Sequence, residues 1–187
     1  MSSPVSQSAA RSLVLAAALL AACDRTPTAP SSAMIPPPAP AAAAAGGAGY
    51  HAALAALRRV TARYHDIDAA IADGFVPVTA GCAEEEGGAV MPIPYANIGR
   101  LFDARIDPLL PDALLYEPTA NGRVRLVGVE LAIPFSQWTA PEPPAFLGAE
   151  FQREEELGVY GLHIWIWSNN PEGMFAEGNS RVTCGAN

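Results

Sequence analysis

The sequence predicts an α+β fold: one long N-terminal helix packed on a small antiparallel sheet and closed by a disulfide. Three observations predict it. Residues 50–73 carry apolar side chains at helical spacing, the chain after them alternates β-rich runs with turn signals, and Cys82 and Cys184 bracket most of that strand-rich part. A helix followed by strands, rather than alternating with them, is the element order of an α+β domain with the helix on one sheet face.

From Tyr50 to Asp73, the residues Leu54, Leu57, Thr61, Tyr64, His65, Asp68 and Ala72 fall on one helical stripe, with Arg58, Arg59 and Arg63 beside or opposite it. Gly74 follows in the place where glycine ends helices. The second half of the stripe is polar, with Tyr64, His65 and Asp68 standing where aliphatics would pack. Phe75 to Val78 reads as a short strand, and Gly81 to Gly88 as a loop carrying Glu84-Glu85-Glu86. Pro92 and Pro94 interrupt the next stretch, Asn97 to Arg105 holds one helical turn, and Asp107-Pro108 and Pro111-Asp112 mark turns.

Ala113 to Glu117 and Arg123 to Ile133 read as a β-hairpin joined through Asn121-Gly122. On its second strand, period-two alternation puts Val127, Val129, Leu131 and Ile133 on one face and Val124, Leu126, Gly128 and Glu130 on the other. Both faces are largely apolar, so this strand is expected at the centre of the sheet, with Glu130 a carboxylate in an apolar row. Pro134 ends it, and Ser136 to Pro144 is a loop around Trp138. Leu162 to Trp167 is the last strong strand, with Leu162, Ile164 and Ile166 facing one way and His163, Trp165 and Trp167 the other. Asn170-Pro171-Glu172-Gly173 has the composition of a type I turn.

The N-terminus reads differently. Arg11 precedes an apolar run, Ser12 to Ala22, with small residues at its end, the layout of a secretory leader spanning residues 1–22. The run is too short to span a bilayer, which takes about 20 apolar residues. Leu20-Ala21-Ala22-Cys23 resembles the lipobox of bacterial lipoproteins. The resemblance implies cleavage before Cys23 and fatty acylation of that cysteine, and more than one acyl chain anchors a protein stably. Asp24 follows, which in enterobacterial lipoproteins favours the inner membrane; in other lineages the leaflet stays open. Residues 23–49 read as a disordered Pro/Ala-rich tether, extended at about 3.1 Å per residue where proline dominates, and residues 50–187 as one globular domain. The expected location is the cell envelope, with a lipid-anchored domain outside the cytoplasm.

Composition narrows function. The formal net charge is −8, and no basic face exists for reading nucleic acid. The chain has no lysine, which removes Schiff-base, PLP and P-loop chemistry. With Cys23 spent on lipid, Cys82 and Cys184 remain as an even pair in an oxidising compartment. A catalytic thiol would need a nearby base, and neither cysteine has one in sequence. Glu84-Glu85-Glu86 lacks the alternating oxygens and glycine turn of a calcium loop. No glycine-rich phosphate loop or serine elbow occurs.

The constellation with chemical potential is His65, Asp68, Glu130 and His163. His65 and Asp68 are three apart on the helix stripe and so point together at the sheet, while Glu130 and His163 sit in the two strongest strands. Imidazoles and carboxylates converging from helix and sheet suit a divalent metal ion, a proton-transfer set, or a buried polar network. Tyr64, Tyr95, Trp165 and Trp167 are the candidates for a small apolar pocket around His163.

Several motifs resemble an uncharacterised family of secreted bacterial proteins: Tyr64-His65-Asp66-Ile67-Asp68 through Gly74, Leu115-Tyr116-Glu117-Pro118, Leu126-Val127-Gly128-Val129-Glu130, Leu162-His163-Ile164-Trp165, and Asn170-Pro171-Glu172-Gly173 through Cys184. The resemblance spans most of residues 50–187 and implies a pattern rather than an activity. The chain departs from it at Met91-Pro92-Ile93-Pro94-Tyr95-Ala96-Asn97, where Pro94 takes the place of the family's usual histidine. The expectation is a domain binding a small-molecule ligand or divalent metal ion. Two alternatives stand beside it: an enzyme using His/carboxylate or metal-assisted chemistry, and an envelope interaction protein with an exposed apolar patch near Trp138.

Overall fold

The structure is a computed structural model that describes residues 47–84 and 87–185. The expected leader, the lipidation site Cys23 and the tether as far as residue 46 lie outside the described residues. Within them the chain forms α1 (Ala48–Thr61), a 3-10 turn (Ala62–His65), α2 (Ile67–Ala72), β1 (Phe75–Pro77), β2 (Ala83–Glu84), β3 (Val90–Met91), β4 (Ile93–Asn97), α3 (Ile98–Leu101), β5 (Ala113–Pro118), β6 (Val124–Pro134), β7 (Ala145–Phe146), β8 (Ala149–Glu150), β9 (Gln152–Glu154) and β10 (Val159–Ile164). The α+β class holds. The single long helix does not.

The helix breaks where its own side chains compete for backbone groups. Thr61 Oγ1 donates to the Leu57 carbonyl at 2.8 Å, a back-bond that bends helices. Asp66 then leaves helical geometry (φ −90°, ψ 110°) and its carboxylate accepts the Asp68 N–H, capping α2. The stripe is therefore cut after Tyr64. Leu54, Leu57, Thr61 and Tyr64 are buried, whereas His65 and Asp68 turn out to solvent.

Six antiparallel strands form the main sheet, in the order β1-β4-β5-β6-β10-β9. The predicted hairpin is β5–β6, and β6 is central, between β5 and β10. A bulge at Leu115/Tyr116 shifts the register, so Leu115 pairs with Gly128 and Tyr116 with Leu126. The shift flips one predicted face. Leu126, Val129 and Leu131 join Leu114, Tyr116, Leu162 and Ile164 against Leu54 and Leu57 of α1. Val127 goes to the opposite face, with Leu115, Trp165, Val90 and Val182.

The last strand is also shorter than predicted. It spans Val159–Ile164, and the Ile166 N–H bonds back to the Ile164 carbonyl at 2.9 Å. This kink separates Trp165, on the far face, from Ile166 and Trp167, which pack toward the helix side.

The segment after β10 folds back over the far face as a strap. Trp165 Nε1 donates to the Ala176 carbonyl at 2.6 Å, Asn179 bridges to Val90 in both directions, and the Thr183 N–H donates to buried Glu117 at 2.9 Å. The predicted Cys82–Cys184 disulfide closes the strap, with the Cα atoms 5.6 Å apart.

Candidate metal centre

The structure divides the predicted quartet. Glu130 and His163 are directly paired across β6 and β10. Each alternates with helix-facing neighbours, so both side chains stand on the far face, under the strap. His65 and Asp68 lie on the helix side of the sheet, at the surface. His65 sits edge-on to Trp167, ring centroids 4.4 Å apart, and both His65 and Asp68 line an open depression of about 810 Å³ with Tyr95 and Arg123. They cannot reach Glu130 or His163 through the sheet.

The expected aromatic pocket around His163 does not form either. Tyr64 packs on Phe75 (5.2 Å) and Tyr95 on Tyr116 (5.0 Å). Trp167 Nε1 donates to Thr61 at 3.2 Å. Only Trp165 neighbours His163, at 6.4 Å. Trp138 is half-buried with its N–H tied to the Glu142 carbonyl at 2.7 Å.

In place of His65 and Asp68, β9 supplies Glu154. Glu154 pairs with Val159, and Gln152 with Gly161, so β9 presents Glu154 on the face that carries His163. One ligating atom from each of Glu130, Glu154 and His163 lies within 4.8 Å of the others. Gly161 makes this possible. A Cβ there would collide with Glu154 Oε1 and stand 2.8 Å from Glu130 Oε1. Pro94 pairs with Leu115 two strands away and is not part of the cluster.

The histidine is oriented for ligation. His163 Nδ1 lies 2.8 Å from the Glu177 carbonyl. A carbonyl only accepts, so Nδ1 carries a proton, and Nε2 lies toward Glu130 Oε2, 3.8 Å away. That separation is too long for a hydrogen bond. Ligand atoms about 2.0–2.2 Å from a zinc-sized ion stand roughly 3.3 Å apart, so small rotations would close the trio on a cation.

Burial outweighs the partners that favour charge on the carboxylates. Burial, then the nearby Asp112 carboxylate, pushes Glu130 up to about 7. Burial, then the Glu130 charge, does the same to Glu154, and His163 opposes it. Asp112 is also raised to about 7 by burial, although its Oδ2 accepts the Ala132 N–H at 2.8 Å. Among the described residues no hydrogen bond joins the His163 ring to Glu130 or Glu154. Glu130 and His163 are each only 6 % exposed, which leaves a substrate no room to touch both directly. Glu154 is half-buried and forms the outer side of the cluster.

Glu154 was not among the sequence candidates. Its strand is three residues long and follows two irregular two-residue strands, too short for periodicity. The available signal was Gly161 inside a strong strand, since a strand glycine marks close approach by another group. Comparison with known protein families, with curated proteins and with solved structures finds no match for this chain.

Proposed function

We propose that this chain is an extracytoplasmic, lipid-anchored protein whose domain binds a divalent metal ion through Glu130, Glu154 and His163. One observation carries the metal reading. Two buried or half-buried carboxylates and an imidazole converge within 4.8 Å of one another, while Nδ1 of the imidazole is fixed by a backbone carbonyl. That carbonyl plays the orienting role usual behind a metal-ligating histidine. A cation would neutralise the carboxylates whose charging burial opposes. The one-imidazole, two-carboxylate donor set suits zinc or manganese, borderline to hard divalent ions, better than a soft ion.

The anchoring part of the reading rests on Leu20-Ala21-Ala22-Cys23 and the Pro/Ala-rich stretch behind it. The disulfide fits an oxidising compartment. Mass spectrometry of the native protein should find an acylated Cys23 at the N-terminus, and an unprocessed leader would overturn the anchoring.

For the metal, isothermal titration with Zn²⁺ and Mn²⁺ at pH 7.5 should give one site per chain. His163→Ala and Glu130→Gln should each weaken it at least tenfold, in line with the loss of a ligand. Equal affinity in wild type and His163→Ala would overturn the assignment.

A further inference from the structure

We infer that the end of the domain built from α3 and the turn at residues 107–112 is a membrane-docking face, on which Ile98, Phe102, Leu109 and Leu110 enter the interface of the bilayer that holds the lipid anchor. The inference rests on the anchoring half of the reading above and is independent of the metal half. It adds the side of the domain that meets the lipid.

The first support is where exposed apolar side chains gather. Among the described residues eight large apolar side chains are exposed, and four of them, Ile98, Phe102, Leu109 and Leu110, fall between residues 98 and 110. Single scattered exposures are ordinary, whereas apolar side chains grouped on one face mark a contact surface. Hydrogen bonds clamp the two segments together. The Asn97 N–H donates to the Asp112 carbonyl at 2.9 Å, and Arg100 Nη1 donates to the Pro111 carbonyl at 3.2 Å. Gln137 Nε2, in the turn after β6, donates to the Phe102 carbonyl at 3.1 Å. Ile98 and Phe102 are four apart and share one side of the helical turn. The four side chains stand on a fixed frame rather than on a loose loop.

The second support is the set of charged groups around them. Asp103 and Asp107 turn back on their own backbone, where their Oδ1 atoms accept the Arg105 and Leu109 N–H groups at 2.9 and 2.8 Å. The Arg100 guanidinium lies over the Phe75 ring, 4.9 Å from its centroid. Arg105 is exposed, and its length suits a lipid phosphate with the stem laid along apolar surface. The acidic residues Glu150, Glu154, Glu155 and Glu156 follow one another through β8, β9 and the turn after them. β9 is one edge of the sheet, and β4, which α3 continues, lies next to the opposite edge. Approach through α3 therefore keeps that acidic stretch away from headgroup phosphates.

The third support is reach. Residues 24–46 separate the proposed anchor at Cys23 from the described chain. A stretch of that length spans up to roughly 70 Å where it extends at about 3.1 Å per residue, whereas α1 is about 21 Å long. The α3 face is thus within reach of the bilayer whichever way α1 is turned. A tether also makes contact with lipid an intramolecular event, so a few apolar side chains suffice where they would not recruit a free protein. The bilayer is for this reason the occupant, ahead of a second copy of the chain.

Photolabelling from within the bilayer tests this. The native acylated protein is reconstituted into phosphatidylcholine vesicles doped with a phosphatidylcholine that carries a diazirine in its acyl chain. After irradiation, the carbene adducts are mapped by mass spectrometry. The expected result is labelling within residues 98–110 and none at Glu150 to Glu156. Leu109→Asp/Leu110→Asp should cut the labelling of 98–110 by roughly tenfold, because a carboxylate is costly to immerse, while vesicle association through the anchor stays unchanged. Circular dichroism checks that the variant folds, and Phe102→Ser should act in the same direction should it not. If the wild type is vesicle-bound with 98–110 unlabelled, or a folded variant labels like the wild type, this inference is wrong and the anchoring stands. Unlabelled 98–110 together with dimers in sedimentation velocity that Phe102→Asp disperses would give the face to a second copy and overturn the inference. If the native protein carries no acyl group, both are wrong.

Discussion

At the scale of single residues, Gly161 decides whether the centre exists. The space a side chain would occupy is filled by the Glu154 and Glu130 oxygens. Gly161→Ala must therefore push at least one carboxylate away from His163. The expected outcome is a loss of zinc affinity of tenfold or more in calorimetric titration, and a variant that binds as tightly as wild type would show that the carboxylates are not ligands together. Glu130→Gln separates structure from binding in the opposite sense. Burial and the nearby Asp112 carboxylate oppose its charge, so that charge is a burden on the metal-free fold. Removing it should raise the metal-free melting temperature at pH 8 by a few degrees while abolishing stabilisation by zinc. The residue chemistry of Glu130 and His163 was legible from sequence because each interrupts a strongly apolar strand. Glu154 was hidden because only its diagonal neighbour, a glycine, records its presence.

At the scale of elements, the two main departures from the sequence reading are a helix break and a β-bulge, and each relocates side chains by half a turn or one face. Periodicity over 50–73 is real up to Tyr64. The break beyond it depends on a hydroxyl at Thr61 and a capping carboxylate at Asp66, signals that a hydrophobic pattern ignores. His65 and Asp68 consequently occupy the surface depression shared with Tyr95 and Arg123, and His65→Ala/Asp68→Ala should leave zinc affinity within about twofold of wild type in the same titration. Strand identity, order of pairing for β5 and β6, and the central place of β6 were all readable from alternation and the Asn121-Gly122 turn. The bulge was not, because Val127 and Val129 look alike to either face. Its physical trace is again a glycine: a Cβ at Gly128 would stand 2.8 Å from the Ile164 carbonyl oxygen. Gly128→Ala should destabilise the domain by about 1–3 kcal/mol in urea unfolding, the usual cost of overpacking a filled interior, and an unchanged midpoint would place the β6–β10 approach elsewhere.

At the scale of the whole molecule, stability and metal occupancy are tied through protons. Asp112, Glu130 and Glu154 are each lifted from the ordinary carboxylate range to about 7, chiefly by burial. Between roughly pH 4.5 and 7 the folded metal-free chain holds protons that the unfolded chain has released. Stability in that window must therefore fall as pH rises, and it levels off once the folded groups have ionised. The groups facing this cluster do not cancel the effect: Glu177 and Asp112 add like charge, and burial outweighs the opposing influence of His163 on Glu154 and of Arg100 on Asp112. Metal reverses the sign, because the ion binds the deprotonated carboxylates, so its hold strengthens over the same window. Differential scanning calorimetry should show the metal-free protein melting at a clearly lower temperature at pH 8 than at pH 5. Saturating zinc should narrow or invert that difference, with little stabilisation at pH 5 and clear stabilisation at pH 8. Equal stabilisation by zinc at the two pH values would mean that the ion is not displacing these protons, and the three-residue centre would have to be abandoned as the binding site.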